Sequence, residues 1–326
     1  MFLDIIIPIY NTKERYLRCA LDSIQRQKGI SFNDVGVIVI DNDSKIKYEK
    51  NWFETNYPKL HINYIVNEKN IGPGASRQKA IDASSAKYVT LLDSDDELYS
   101  ENSLAPILKG LSTNTINVLY TLMRQEFKKD GKLNYYDLSF KQYQSLHGVF
   151  FKKEYLVQNE IRFHDNLNAF DDTYFMGCLT ANQEGLFVNN LTYVWKYIDD
   201  SETLSKNKYN YGVVHFEEMV NCYLYIYEYY KKYRPDRASL YMVQQLVECI
   251  LFLESSFFDY EQLKDKKERY SKWLFDLYFE HKADFSLFNK PFMDKLIEYK
   301  KKEINYLSGS TTFSGDYYSF IDKYTK

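Results

Sequence analysis

Four short apolar runs rich in β-branched residues recur within the first 92 residues: Leu3–Tyr10, Val35–Ile40, Ile62–Val66 and Tyr88–Leu92. Stretches with helical spacing separate them. Tyr16–Gln27 is predicted as a helix from Leu17, Ala20, Leu21 and Ile24; further helices are expected over Lys47–Asn56 and Ala75–Ser84, the last entered through the loop Asn70–Gly74. A strand buried on both faces reads as a continuous apolar run, and its alternation with helices indicates βαβ units and a mainly parallel sheet. The fold class is therefore α/β. Ligands of such sheets bind beyond the carboxyl ends of the strands. Here those ends carry polar residues: Tyr10-Asn11, Asp41-Asn42-Asp43-Ser44 and Asp93-Ser94-Asp95-Asp96-Glu97.

The third of these turns packs four acids into five residues. Their mutual repulsion is costly unless a cation sits among them. Asp93 and Asp95 alternate, so oxygen ligands from both can reach one hard divalent ion, Mn²⁺ or Mg²⁺, which can in turn hold phosphates. The competing reading is an acidic turn that caps a helix starting near Tyr99.

Beyond residue 118 the pattern becomes mixed. Val118–Phe127 and Leu133–Tyr136 are expected to pair as a hairpin around Lys129-Asp130-Gly131. Gly148–Phe151 and Asn189–Tyr197 read as strands, Tyr155–Glu160 and Asp171–Ala181 as helices. After about Tyr209 only helices are predicted: Val213–Tyr233, Asp236–Phe258, Leu263–His281 and Pro291–Tyr306, with a loosely held tail from Ser308. Two domains follow, 1–208 and 209–326. Tyrosines 223, 225, 227, 229, 230 and 233 cover every face of one predicted helix. One set can line a domain core; the other suits an oligomer interface or a glycan-stacking platform.

A net charge of −3 argues against a nucleic-acid partner. Cys19, Cys178, Cys222 and Cys249 are widely spaced, as reduced thiols of a cytosolic protein would be. No secretory signal precedes the first strand and no run of 18 apolar residues occurs, so a cytoplasmic location is expected, with room for peripheral contact at the inner membrane face.

These motifs, in this order, resemble the inverting glycosyltransferase family 2 over about residues 3–205. Ile5-Ile6-Ile7-Pro8-Ile9-Tyr10-Asn11 resembles the family's opening strand and nucleotide loop, and Leu17–Gln27 its first helix. Asp41-Asn42-Asp43-Ser44 stands where the family has its acidic turn against the nucleoside, and Asn70-x-Gly72 with Arg77 fits the next loop and helix. Leu91-Leu92-Asp93-Ser94-Asp95-Asp96 fits the metal motif. Gly148–Leu156 with Ile161-Arg162-Phe163, the acidic pair Asp171-Asp172-x-x-Phe175, and Tyr193–Ser205 complete the series. There are two departures. Asn42 replaces the acid often found against the uracil ring, keeping an acceptor oxygen without the charge, and the acidic pair is Asp-Asp rather than Glu-Asp.

The resemblance implies a GT-A fold: a Rossmann-like, mainly parallel mixed sheet between helices, followed here by an all-helical domain. It implies a hexosyl- or N-acetylhexosaminyl-transferase that uses a nucleotide diphosphate sugar, with UDP favoured over dTDP. The acceptor is a surface glycan, teichoic acid or glycoprotein. Asp172 takes the role of general base and Asp95 that of direct metal ligand, with Asp93 facing the donor or reaching the metal through water. Pro8, Tyr10, Asn11, Asp41, Asn42, Arg77 and Ser94 fall in the donor site, with Lys196 placed to steady the diphosphate. His147 and Asp171 border the acceptor, and His215 or Asp200 offers a further ligand. Asp96 and Glu97 are assigned to capping. Homo-oligomerisation is expected through the C-terminal helices. The rivals are a sugar nucleotidyltransferase, which calls for a Gly-rich loop absent from Tyr10-Asn11-Thr12-Lys13, and a catalytically silent glycan-binding scaffold.

Overall fold

The computed structural model describes residues 1–113, 115–139, 145–182, 185–198, 211–258, 261–308 and 316–325. The chain divides into two compact units, Met1–Ser201 and Glu202–Lys326. The boundary expected at 208/209 lies outside the described residues.

The first unit opens with β1 (Leu3–Ile9), α1 (Glu14–Gln25), β2 (Val35–Asp41), α2 (Lys50–Asn56), β3 (His61–Val66), α3 (Pro73–Ala83) and β4 (Tyr88–Leu91). Strands β3, β2, β1 and β4 lie side by side in parallel, as the βα alternation requires. Leu3, Ile5, Ile7, Val35, Val37 and Val39 are buried with Leu17, Leu21 and Ile24 of α1. Each such side chain contributes roughly 1.5–3 kcal/mol by leaving water. Pro8 decides where the β1–β4 pairing ends. Even-numbered residues of β1 face β4, and that ladder ends at Ile6↔Leu91, with Leu92 N–H donating to the Ile6 carbonyl. The N–H that proline lacks falls just past this point, so the β1–β4 pairing stops there.

The sheet continues with β5 (Glu97–Leu98), β6 (Val118–Lys129), β7 (Lys132–Leu138), β8 (Val149–Lys152) and β9 (Leu186–Trp195), in the order β3-β2-β1-β4-β8-β6-β9-β5 with β7 on β6. Three helices complete the unit: α4 (Leu104–Thr113), α5 (Lys153–Gln158) and α6 (Asp171–Ala181). The expected helix near Tyr99 is absent. Glu97 and Leu98 instead pair with Val194 and Tyr193 of β9, and α4 begins only at Leu104. The acids are recruited by β9 rather than by a helix end.

The second unit is helical: α7 (Tyr211–Val214), α8 (Phe216–Tyr233), α9 (Pro235–Leu253), α10 (Lys264–Glu280), α11 (Lys282–Ser286), α12 (Lys290–Ser308) and α13 (Tyr317–Thr325). Pro235 starts α9 at its first turn, where a missing N–H costs nothing. All six α8 tyrosines are buried or half-buried, and five of them make contacts within this unit: Tyr223 donates to Glu248 at 3.3 Å, Tyr227 to Asp284 at 3.2 Å, Tyr229 packs on Tyr233, and Tyr230 stacks on Tyr241. The tail departs from expectation. Residues 309–315 lie outside the described ones, but α13 follows, with Phe320 fully buried, Tyr317 N–H on Asp294 and Lys290 paired to Asp316. Among the described residues no helix is long and apolar enough to cross a membrane.

Candidate active site

The loops at the carboxyl ends of β1 and β2 are stitched together by backbone groups that would otherwise lack partners. Asn11, at φ 51°, donates its N–H to Ser44 Oγ (2.8 Å) and accepts Lys45 N–H on Oδ1 (2.9 Å). Tyr10, half exposed, leaves the strand end beside it. Asp41 is fully buried; its oxygens accept Ser44 N–H and the Tyr64 hydroxyl, each at 2.7 Å. Asn42 Oδ1 accepts Asn67 Nδ2 (3.1 Å) and Ile71 N–H (2.9 Å), while its Nδ2 donates to Asn70 Oδ1 (2.8 Å). Asp41 and Asn42, expected to meet base or ribose, shape the turn and the loop into α3. Asn67, Asn70 and Tyr64 were not anticipated. Asn67 and Asn70, polar residues just past the end of a short strand, were the available signal.

Arg77 is the hub. Its Nη2 lies 3.0 Å from Asp93 Oδ1 and its Nη1 2.8 Å from Asp171 Oδ2, and its Nε is buried without a partner. The approach depends on Gly74 in the first turn of α3: a Cβ there would sit 2.8 Å from Asp171 Cβ. Burial opposes the charge on Arg77, yet Asp93 and Asp171 hold its guanidinium above the ordinary value. Burial likewise opposes ionised Asp93, but Arg77 and His147 keep that carboxyl well below the usual range. Asp171 goes the other way. Burial pushes it up to about 6 against the pull of Arg77, with Asp172 adding repulsion.

Asp172 is exposed, accepting Thr173 N–H at 2.7 Å. The buried position of the pair belongs to Asp171.

The acid run sorts itself by a tight turn. Asp96 N–H donates to the Asp93 carbonyl (3.1 Å), which brings these two side chains to one side. Asp96 is buried, accepting the Tyr193 hydroxyl (2.5 Å) and Lys196 N–H (2.8 Å); burial, then Asp93 and Asp95, push its carboxyl well up. Capping, its expected role, is replaced by a bond to β9. His147 Nε2 lies 3.4 Å from Asp93 Oδ2, its Nδ1 3.1 Å from Ser145 Oγ, and its ring packs on Tyr193 and Trp195. Asp93, Asp96 and His147 can offer ligand atoms within 4.8 Å of one another. Within the cluster His147 Nε2 and Asp93 Oδ2 face each other, while Asp96 is engaged by Tyr193 and Lys196. Asp95 stands outside that group, and its own backbone N–H engages its carboxylate. Burial and then Asp93 raise its pKa, and these outweigh the opposing pull of its own backbone N–H and of His147. An open hard-oxygen donor in this state suits a divalent cation. Ser94 Oγ meets Thr12 Oγ1 at 2.9 Å, tying the acid turn to the loop after β1.

Lys196 Nζ pairs with Glu97 (3.2 Å). His215 belongs to the second unit, where its Nδ1 lies 3.4 Å from Glu218. Asp200 lies outside the described residues. A cavity of about 430 Å³ against β2, β3 and α2, lined by Asp4, Gly36 and Phe53, shares no residue with the acid cluster.

A Rossmann-like sheet with polar clusters at its strand ends defines a class, and the comparisons agree with it. Residues 4–172, just over half of the chain, match Glycosyl transferase family 2, and the chain belongs to that family. It is 36% identical over 94 residues to an uncharacterized glycosyltransferase of Methanocaldococcus jannaschii, covering 29% of this chain and 32% of that one. It is 26% identical over 246 residues to a teichoic acid poly(glycerol phosphate) polymerase of Staphylococcus epidermidis, covering 68% and 32%. The chain thus spans about a third of the length of either relative. The crystal structure of S. aureus TarS 1-349 in complex with UDP-GlcNAc superposes with a TM-score of 0.54 at 18% identity, over 96% of this chain and 93% of that one. The fold is that of a GT-A domain followed by a helical domain.

Proposed function

We propose that this chain is a metal-dependent inverting glycosyltransferase. It moves a sugar from a nucleotide diphosphate sugar, most readily a UDP-sugar, to a hydroxyl of a surface glycan, teichoic acid or glycoprotein. The observation that carries this reading is the division of acids around Arg77: Asp93 and Asp171 are bound and ordered by it, while Asp95 and Asp172 remain open on either side. The UDP-GlcNAc held by TarS and the polymer named for the staphylococcal relative support the donor and acceptor classes. Family membership disfavours the nucleotidyltransferase alternative, and the intact acids disfavour a silent scaffold.

In this reading Asp172 accepts the proton of the acceptor hydroxyl as its oxygen bonds to the anomeric carbon. The bond from that carbon to the diphosphate breaks on the opposite face, and the nucleoside diphosphate departs. Asp95 is the direct ligand of Mn²⁺ or Mg²⁺, which when bound offsets the diphosphate's charge. Arg77 acts through its neighbours, fixing Asp93 toward the donor and the start of α6 toward the acceptor. Tyr10 and Asn11 border the nucleoside, with Pro8 at the end of the β1–β4 pairing.

A thermal-shift panel of nucleotide sugars with and without Mn²⁺ tests this. A UDP-sugar with Mn²⁺ should raise the melting temperature most, because a ligand that binds only the folded chain stabilises it by mass action. Asp95→Ala should abolish the Mn²⁺-dependent part of that shift. If His147→Ala abolishes it and Asp95→Ala does not, the cation belongs to the Asp93–Asp96–His147 cluster and the ligand assignment is wrong.

A further inference from the structure

The tip of the β6–β7 hairpin is not used by the reaction above. β9 pairs with β6 only as far as Gln125, so Glu126–Lys129 and Lys132–Tyr135 run on as a two-stranded ribbon. The turn is built for tightness: Asp130 and Gly131 both take positive φ (52° and 74°), as a two-residue hairpin turn demands. Around it stand Lys128, Lys129 and Lys132, all exposed, with exposed Leu133 (61%), Tyr135 (58%) and Tyr136 (56%).

Two features of this tip work against folding alone. Lys129 and Lys132 face each other directly across the strands, a like-charge pairing that weakens a ribbon. Neither ammonium has an ion-pair partner among the described residues. The rings, in contrast, are held in advance. Tyr136 stacks on Phe127 at 4.5 Å with planes 11° apart, and Tyr135 covers the Arg124 guanidinium at 3.9 Å, itself paired to Asp137 at 2.7 Å. Pre-ordered rings lose little side-chain freedom on contact.

We propose that this hairpin tip docks on an anionic lipid bilayer. Three lysines complement the negative surface of such a membrane, and tyrosine rings with a leucine suit its headgroup level, where one end of the ring is apolar and the other wet. A soluble polyanion would be met by the lysines alone and gives no use to the exposed Leu133 and Tyr136. The contact is independent of the proposed transfer chemistry and would hold the enzyme at a surface where lipid-linked acceptors reside.

Vesicle co-sedimentation of the full chain tests it. The protein should pellet with phosphatidylcholine vesicles containing phosphatidylglycerol and stay soluble with phosphatidylcholine alone. Lys128→Glu/Lys129→Glu/Lys132→Glu should weaken binding roughly a hundredfold, and Leu133→Ser should weaken it as well. Both variants should keep a near wild-type melting temperature and the same nucleotide-sugar thermal shift, since the changed side chains are exposed. Failure of the wild type to pellet, or unchanged pelleting of either variant, overturns the proposal. So does displacement from vesicles by free poly(glycerol phosphate) at equal phosphate, which would make the tip a polymer site.

Discussion

The two units bury charge in opposite ways. In the helical unit two half-buried acids are each matched. Asp284 accepts Ser239 Oγ (2.5 Å), the Tyr227 hydroxyl (3.2 Å) and His281 Nδ1 (3.0 Å), tying α8, α9 and α11 together. Glu248 takes Lys300 (2.5 Å) and Tyr223, joining α8, α9 and α12. Burial works against ionised Asp284, but these donors outweigh it and its pKa is lowered. In the α/β unit a single guanidinium serves two carboxylates, and the neighbouring acids Asp95, Asp96 and Asp171 are all pushed up. A matched acid is a staple; an excess of acid over cation is a site awaiting a positive partner.

The largest expected effect breaks the α/β side of this contrast. Asp172→Asn should slow sugar transfer by about 10²–10⁴-fold, the usual worth of a general base, while the donor-induced thermal shift stays near wild type. Loss of donor binding instead would place Asp172 elsewhere. Arg77→Met removes the guanidinium shared by half-buried Asp93 and buried Asp171 and should cost about 3–5 kcal/mol in urea unfolding; a loss under ~1 kcal/mol would mean that Asp93 and Asp171 find other partners.

The pH dependence has a definite sign. Asp171 sits at about 6 in the folded chain, above the value of roughly 3.9 expected when unfolded. Its contribution is therefore fully present below about pH 4 and is lost as pH rises through 6, at most about 3 kcal/mol. Asp96, raised by the same burial, carries the same sign, while Asp93 carries the opposite one at the acid end. Asp171→Asn should flatten the fall in melting temperature between pH 4 and 6.5; an unchanged slope would refute the assignment. Smallest is the staple. Asp284→Ala should cost about 1–3 kcal/mol through unpaired donors, with nucleotide-sugar thermal shifts unaltered. An altered donor response there would erase the proposed division of labour.

Much of the α/β unit was legible in its sequence. The four parallel strands, the hairpin around Asp130-Gly131 and α6 starting on its acids all lie close to where apolar runs and turn residues put them. The misses have physical causes. β5 is a two-residue strand whose existence depends on β9, some hundred residues on. Tyr193 was read only as part of a strand, because nothing local says that its hydroxyl closes on Asp96.

Taken alone, the sequence determined which segments become strands and helices, and that polar turns gather at the strands' carboxyl ends. Those properties depend on near neighbours: apolar period, chain stiffness and turn chemistry. Only the tertiary structure decided which acids are closed and which are open. That outcome rests on partners far away in the chain, Arg77 with Asp171 at a separation of 94 residues and Asp96 with Tyr193 at 97. A carboxylate's burial and charge follow from those partners, and no local pattern encodes them.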